Sequence, residues 1–153
     1  AASVQPVIIL DLYRPSGADP QQAVIAEEKL IASVFGLINA LINHGIACTF
    51  IFRGDNEEMY TISVDNPDYP PQILLKVLAV KVIEGRRVDV SALNASACAC
   101  ILATTDAGAS FAPVAESFAG SDNVNLLGIS DRMLNTTAFP LWYLDDDNNF
   151  KLV

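Results

Sequence analysis

The chain is short of positive charge. Nine Lys and Arg stand against eighteen Asp and Glu, a formal net charge of −9. Nucleic-acid binding is disfavoured, because phosphate contacts need clustered bases, and the longest basic run is Arg86-Arg87. An anionic membrane surface is disfavoured for the same reason. Histidine occurs once, as His44, and cysteine three times, as Cys48, Cys98 and Cys100. That count gives no disulfide framework. Cys98 and Cys100, two apart, face the same side of a strand, a poor geometry for bridging each other. The three thiols read as small buried hydrophobes in a reducing compartment. Without C-x-x-C or further histidines, a zinc site lacks ligands. Neither G-x-G-x-x-G nor a P-loop is present, and no G-x-S-x-G accompanies the single histidine. Residues 23–43 are the most apolar long segment, but Glu27, Glu28, Lys29, Asn39 and Asn43 interrupt them. They read as a core helix rather than a membrane span.

What is abundant is apolar: 52% of 153 residues are hydrophobic and 18% charged. That suits one domain, 1–153, with elements buried on both faces, as when helices sandwich a parallel sheet. The first residue is Ala1 rather than Met, which reads as a fragment of a longer protein.

The pattern predicts strands over 4–12, 46–52, 59–64, 97–103, 124–129, 139–144 and 149–153. It predicts helices over 22–43, 72–84 and 111–119, with 86–96 ambiguous and a short helix around Val90 to Asn94. In the long helix, Leu30, Val34, Leu37 and Leu41 make one stripe, and Ile31, Phe35, Ile38 and Ile42 the next. His44-Gly45 ends it. The short turn "RGDNEE" implies an antiparallel hairpin. The expected architecture is therefore α/β: a three-layer, Rossmann-like sandwich with a mostly parallel twisted sheet and one antiparallel edge hairpin.

Open α/β sheets place their sites at the carboxyl ends of strands. Asp11 follows "VIIL", and Asp106 follows "CILATT". In a doubly wound order those strands are neighbours. This pattern resembles a von Willebrand factor A-type domain, over nearly the whole chain, as element order. In that family the first strand ends in D-x-S-x-S, the next two strands form an antiparallel hairpin, and the fourth ends in a T-D-G-like turn. "VIILDLYRPSG", "TFIFRGDNEEMYTISV" and "CILATTDAG" take those places. The resemblance implies a Mg²⁺ site with Asp11 and Asp106 among its residues. The site it implies is degenerate. Tyr13 and Pro15 stand at the two serine places, Ser16 is one residue out of register, and no threonine occurs between Thr61 and Thr104. Within the superfamily the chain is most similar to the bacterial domain-of-unknown-function 58 proteins. That similarity implies a scaffold or adaptor working with a MoxR-type AAA+ ATPase. It also implies a cytoplasmic domain of a membrane-anchored protein, without direct membrane contact of its own.

Each singled-out residue has a plainer reading. Asp11 is a ligand remnant or a cap for the following loop. Asp106 is the same, or a turn residue before a helix. Arg14 is placed to pair with either and to stand in for a lost cation. Arg53-Gly54-Asp55 spells an integrin tripeptide, but Gly-Asp after a strand is ordinary hairpin chemistry. His44 reads as a helix cap. "YLDDDNNFKLV" lacks the alternation of an EF-hand and reads as a solvated hairpin turn.

Two function classes follow. In the first, the chain is a non-catalytic interaction module that needs no cofactor. Its binding rim is formed by 11–19, 65–71 and 104–110, with Tyr13, Arg14, Ser16, Asp68, Tyr69 and Thr105 as contacts. In the second, Asp11 and Asp106 hold Mg²⁺ for phosphoryl transfer. Against the second, Tyr13 stands where phosphatase-like sites carry another acid.

Overall fold

The computed structural model describes residues 5–55, 58–91, 93 and 99–153. The element order is β1 (Val7–Asp11), α1 (Pro20–Asn43), β2 (Cys48–Arg53), β3 (Met59–Val64), α2 (Tyr69–Leu78) and β4 (Cys100–Thr104). A 3₁₀ turn (Ala109–Phe111) leads into α3 (Ala112–Glu116), followed by β5 (Val124–Gly128), β6 (Leu141–Leu144) and β7 (Phe150–Leu152). Among the described residues these make one sheet in the order β3-β2-β1-β4-β5-β6-β7.

The five inner strands are parallel, and β3 and β7 run antiparallel to their neighbours. The expected α/β sandwich is therefore present, with one correction. An antiparallel hairpin closes each edge, not one edge alone. The second is built on the "DDDN" turn, where Asp145 Oδ1 accepts from the amides of Asp147 and Asn149, both at 2.9 Å. Asn148 there takes a left-handed φ of 63°, which Asn tolerates better than most residues.

Alternation along β1 divides the core. Ile8 and Leu10 pack with Leu30, Val34 and Ile38 of α1 and with Ile73 and Val77 of α2. Val7 and Ile9 pack with Phe111, Val114 and Phe118, and with Val88 and Val90 from the segment before β4. Helices thus lie on both faces, though α3 is short and an irregular segment shares its side. An aromatic row crosses the first face. Phe35 meets Phe50 edge-on with centroids 5.5 Å apart, and Phe50, Phe52 and Tyr60 stack at 5.3 and 5.2 Å. Each pair adds about 0.5–1.5 kcal/mol beyond its buried area.

Helix boundaries differ from expectation for local reasons. α1 begins two residues early because Asp19 caps it, accepting from Gln21 N at 3.2 Å, and Pro20 opens its first turn. α2 begins at Tyr69, with prolines opening its first turn but no side-chain cap bond from Asp68, and ends at Leu78. The apolar run after it, Val80 to Ile83, is not helical: it crosses to the carboxyl end of the sheet. Gly85 (φ +73°) sits in a turn beyond it, with its amide on Arg14 O at 2.9 Å. Ala92 and Asn94 to Cys98 lie outside the described residues, so two residues of the expected 90–94 helix and the start of the 97–103 strand do too.

The Arg53-Gly54-Asp55 tripeptide is hairpin structure. Gly54 is buried and its amide donates to Glu58 O at 2.8 Å. A Cβ on Gly54 would overlap the Tyr60 ring. Gly54→Ala is expected to destabilise the protein by about 1–3 kcal/mol through overpacking, measured by urea unfolding. In a Tyr60→Ala background the same change is expected to cost little; an equal cost in both backgrounds would show that Tyr60 is not the obstacle.

Candidate functional site

The chain leaves β1 through α1 on one face and leaves β4 through α3 on the other. These adjacent strands therefore form the switch point of the sheet, where the crossovers diverge and a crevice opens. Asp11 and Thr104 are register partners at its lip. Both continue the Val7–Ile9 side of their strands, and both are buried, at 1% and 0% exposure. The expected meeting of Asp11 with the Asp106 loop is what the structure places here.

The crevice holds a guanidinium. Arg87 Nη1 lies 2.5 Å from Asp11 Oδ2, 2.9 Å from Asp106 O and 3.4 Å from Thr104 Oγ1. Its Nη2 donates to Ser110 Oγ at 2.7 Å and stands 3.8 Å from Asp106 Oδ1. The Tyr13 ring lies against the cation, with Arg87 Cζ 3.7 Å from its centroid, and the Phe111 ring is 5.2 Å away. Cation–π contact of this kind contributes about 0.5–2 kcal/mol. Arg87 Nε is buried with no acceptor among the described residues.

Asp11 is fully engaged. Oδ2 accepts from Thr104 Oγ1 at 2.8 Å as well as from Arg87, and Oδ1 accepts from Val88 N at 3.1 Å. Burial pushes its carboxyl above the usual value, opposed by the Arg87 charge and by the Thr104 and Val88 hydrogen bonds. Asp106 holds its own turn, accepting from Gly108 N at 2.7 Å. A Cβ on Gly108 would sit 2.9 Å from Asp106 Oδ1, so the turn wants glycine for space. Thr105 joins the two loops. Its Oγ1 accepts from Tyr13 N at 2.9 Å and donates to Tyr13 O at 2.7 Å.

Two expectations need correction. The cation beside Asp11 is Arg87, not Arg14. Arg14 instead grips Glu27 of α1 through two hydrogen bonds, Nη2 to Oε1 at 2.7 Å and Nε to Oε2 at 3.0 Å. The rim is also divided. Tyr13, Arg14, Ser16 and Thr105 border the crevice or its loop, but Asp68 and Tyr69 do not. Val64, the end of β3, is opposite Cys48, the start of β2. Segment 65–71 therefore lies at the amino end of the parallel strands, away from Asp11. As they stand, the residues do not fit a Mg²⁺ ion, in keeping with the degenerate pattern of Tyr13 and Pro15 at the serine places. The oxygens of Asp11, Thr104 and Asp106 already converge on Arg87 Nη1, and an ion would have to displace it. Among the described residues no group of three His, Cys, Asp or Glu is arranged to hold a metal.

Sequence reasoning missed Arg87; Thr104 and Ser110 lie within the expected 104–110 rim segment but were not singled out. The available signal was Arg86-Arg87 itself, the one basic pair in an acidic chain, just before the β-branched alternation of Val88 and Val90. Other side chains stay ordinary. His44 Nδ1 bonds Ala40 O at 2.8 Å at the end of α1. Burial pushes the Cys48 thiol up to about 11, which makes it a poor nucleophile.

Comparison with protein-family models, with curated proteins and with solved structures finds no match to this chain.

Breaking a buried ion pair from one side leaves the other charge unpaired and costs about 3–5 kcal/mol. Arg87→Ala is expected in that range by denaturant unfolding, and Arg14→Ala, at a more exposed pair, at about 1 kcal/mol. Equal losses would remove Arg87 from its central position. The pH dependence of the Arg87→Ala deficit is a second check. A carboxyl raised in the folded state contributes stability that is full below its unfolded value and is lost as pH rises through its folded value. Arg87→Ala removes the main opposing charge, so the Asp11 value climbs further. The deficit against wild type is expected to narrow as pH falls from neutral toward the ordinary carboxylate range. A deficit that stays constant or widens would contradict the assigned pair.

Proposed function

We propose that this chain is a non-catalytic protein-binding module, a degenerate von Willebrand A-like domain in which a tethered arginine stands where the family's site holds its cation. One observation carries the reading: Arg87 sits in the switch-point crevice on Asp11, Thr104 and the Asp106 turn. The edge hairpin of β2 and β3, and the neighbouring ends of β1 and β4, are the features on which the A-type resemblance rests, and they support it. Asp11 and Asp106 are engaged in holding Arg87 and their own turn, so neither is poised as an acid, base or ligand.

The partner that the resemblance implies is a MoxR-type AAA+ ATPase. The contact face is the loop Tyr13 to Ser16 with Thr105 behind it. Tyr13 and Arg14 are half-buried and Ser16 is exposed. Such a surface is preorganised, because the Tyr13 backbone is held by Thr105 and its ring by Arg87.

The deciding experiment is a titration of Mg²⁺ and Mn²⁺ followed by thermal stability, with Asp11→Ala beside the wild type. An ion that binds the native state selectively raises stability by mass action. The expected result is no shift at millimolar metal in wild type. A stabilisation that disappears in Asp11→Ala would overturn the reading and restore the Mg²⁺-dependent hydrolase using Asp11 and Asp106.

A further inference from the structure

The far edge of the sheet is open on one face. α1 lies chiefly over β1, β2 and β4. In the connection between β5 and β6, Met133 and Phe139 pack against the opposite face, with Phe111 and Leu141. Among the described residues no helix therefore covers the α1 side of β5, β6 and β7. A cavity of about 260 Å³ lies there, and its walls include Leu37, Ile101, Asn125, Leu127, Trp142 and Phe150. The Trp142 indole is held as one wall by its Nε1, which donates to Asn125 Oδ1 at 3.0 Å.

Beside the cavity the edge strand offers its backbone. Val153 N donates to Leu141 O and Asp145 N to Asn149 O, both at 2.9 Å. Bonded and non-bonded pairs alternate along an antiparallel ladder. The pairs Trp142–Leu152 and Leu144–Phe150 are therefore the non-bonded ones. Phe150 and Leu152 thus turn their N–H and C=O away from β6, on the last strand of the sheet. Their side chains share the Trp142 face and are 37% and 56% exposed. A strand added beyond β7 would bond to those two residues and extend the same apolar face.

Charge decides which strand. The two-fold register that joins the outward groups of Phe150 and Leu152 would set Lys151 of one copy opposite Lys151 of the other. Like charges directly opposite are destabilising, and an edge Lys blunts self-pairing. At the Phe150 end, Asp146 and Asp147 are exposed. Lys151 reaches the neighbouring Asp145 instead, at 3.9 Å. That end is complementary to a cation.

We propose that the β7 edge binds an extended segment of another protein, with alternate residues apolar and a Lys or Arg at the end beside the "DDDN" turn. Backbone pairing to Phe150 and Leu152 holds the segment, and one apolar side chain enters the Trp142 cavity. The cavity is below the roughly 300–1,000 Å³ of drug-sized sites, which suits a side chain. β7 is four strands from β1, about 19 Å at the usual spacing. The surface is therefore separate from the Tyr13–Ser16 face and does not depend on it.

The test selects from a displayed library of random twelve-residue peptides on the intact chain. Enriched peptides are synthesised and titrated by calorimetry, with NMR following the amides of Phe150 and Leu152 and the Trp142 indole N–H. The expected sequences alternate apolar residues and carry a basic end. N-methylation of the peptide at its pairing residues is expected to weaken binding by about tenfold or more. That change leaves the protein intact, so misfolding cannot imitate it. Leu152→Pro removes an outward N–H, which an edge strand tolerates, and is expected to weaken binding similarly. Replacing Asp146 and Asp147 together by Lys is expected to cost about tenfold. Circular dichroism and thermal melts confirm that the variants fold. The proposal is overturned if no peptide is enriched, if N-methylated peptides bind equally well, or if the NMR shifts map to the Tyr13–Ser16 loop. Dimerisation in sedimentation that Leu152→Pro abolishes would assign the edge to a second copy and overturn it too.

Discussion

The ion pair between Asp11 and Arg87 organises the carboxyl end of this protein. Taking both charges out of water is expensive, and their attraction offsets the loss only where geometry is good and remaining hydrogen bonds are made. Here Asp11 receives a hydroxyl, a backbone amide and a guanidinium, while Arg87 reaches a carboxylate, a carbonyl and a second hydroxyl. The contacts join segments far apart in sequence: Asp11 closes β1, Arg87 lies in the irregular passage after α2, and Thr104 closes β4. Three loops take their positions from one buried charge pair. The unmatched Nε of Arg87 shows that even this arrangement leaves a donor unpaired among the described residues.

That pair also decides what the crevice can do. The crossovers of an α/β sheet open a crevice at the switch point, and its backbone and side-chain oxygens favour a positive charge. Arg87 supplies that charge from within the chain. The chemistry left open lies at the margin, where Tyr13 to Ser16 form a held surface. That surface and the filled crevice both depend on the segment 79–88, which leaves the helical pattern and crosses the end of the sheet.

Much of the layer architecture was legible in the sequence. β3 spans the predicted residues, because "MYTISV" alternates and a short turn precedes it. α1 was legible from its two stripes, except that Asp19-Pro20 looked like turn chemistry when it was a helix start. α2 was misjudged at its end, since Val80 to Ile83 continue an apolar run whose period does not separate helix from extended chain over so few residues. The candidate site was half legible. Asp11 and Asp106 stood at the right strand ends by position alone. Arg87 could not be paired with Asp11 from local pattern, because the two are 76 residues apart. Arg14, three residues from Asp11, was the nearer choice, and proximity in sequence misled. Asp68 and Tyr69 were misplaced because β3 runs antiparallel, which sends the loop after it to the other end of the sheet.

A bound ion comes and goes with its concentration in the surrounding fluid, and chelators remove it. A guanidinium joined to its own backbone does neither. Its local concentration is set by chain connectivity, and its charge persists across the physiological pH range. The positive charge against Asp11 is therefore supplied by folding itself, when strand β4 and the Arg87 segment come to rest beside β1.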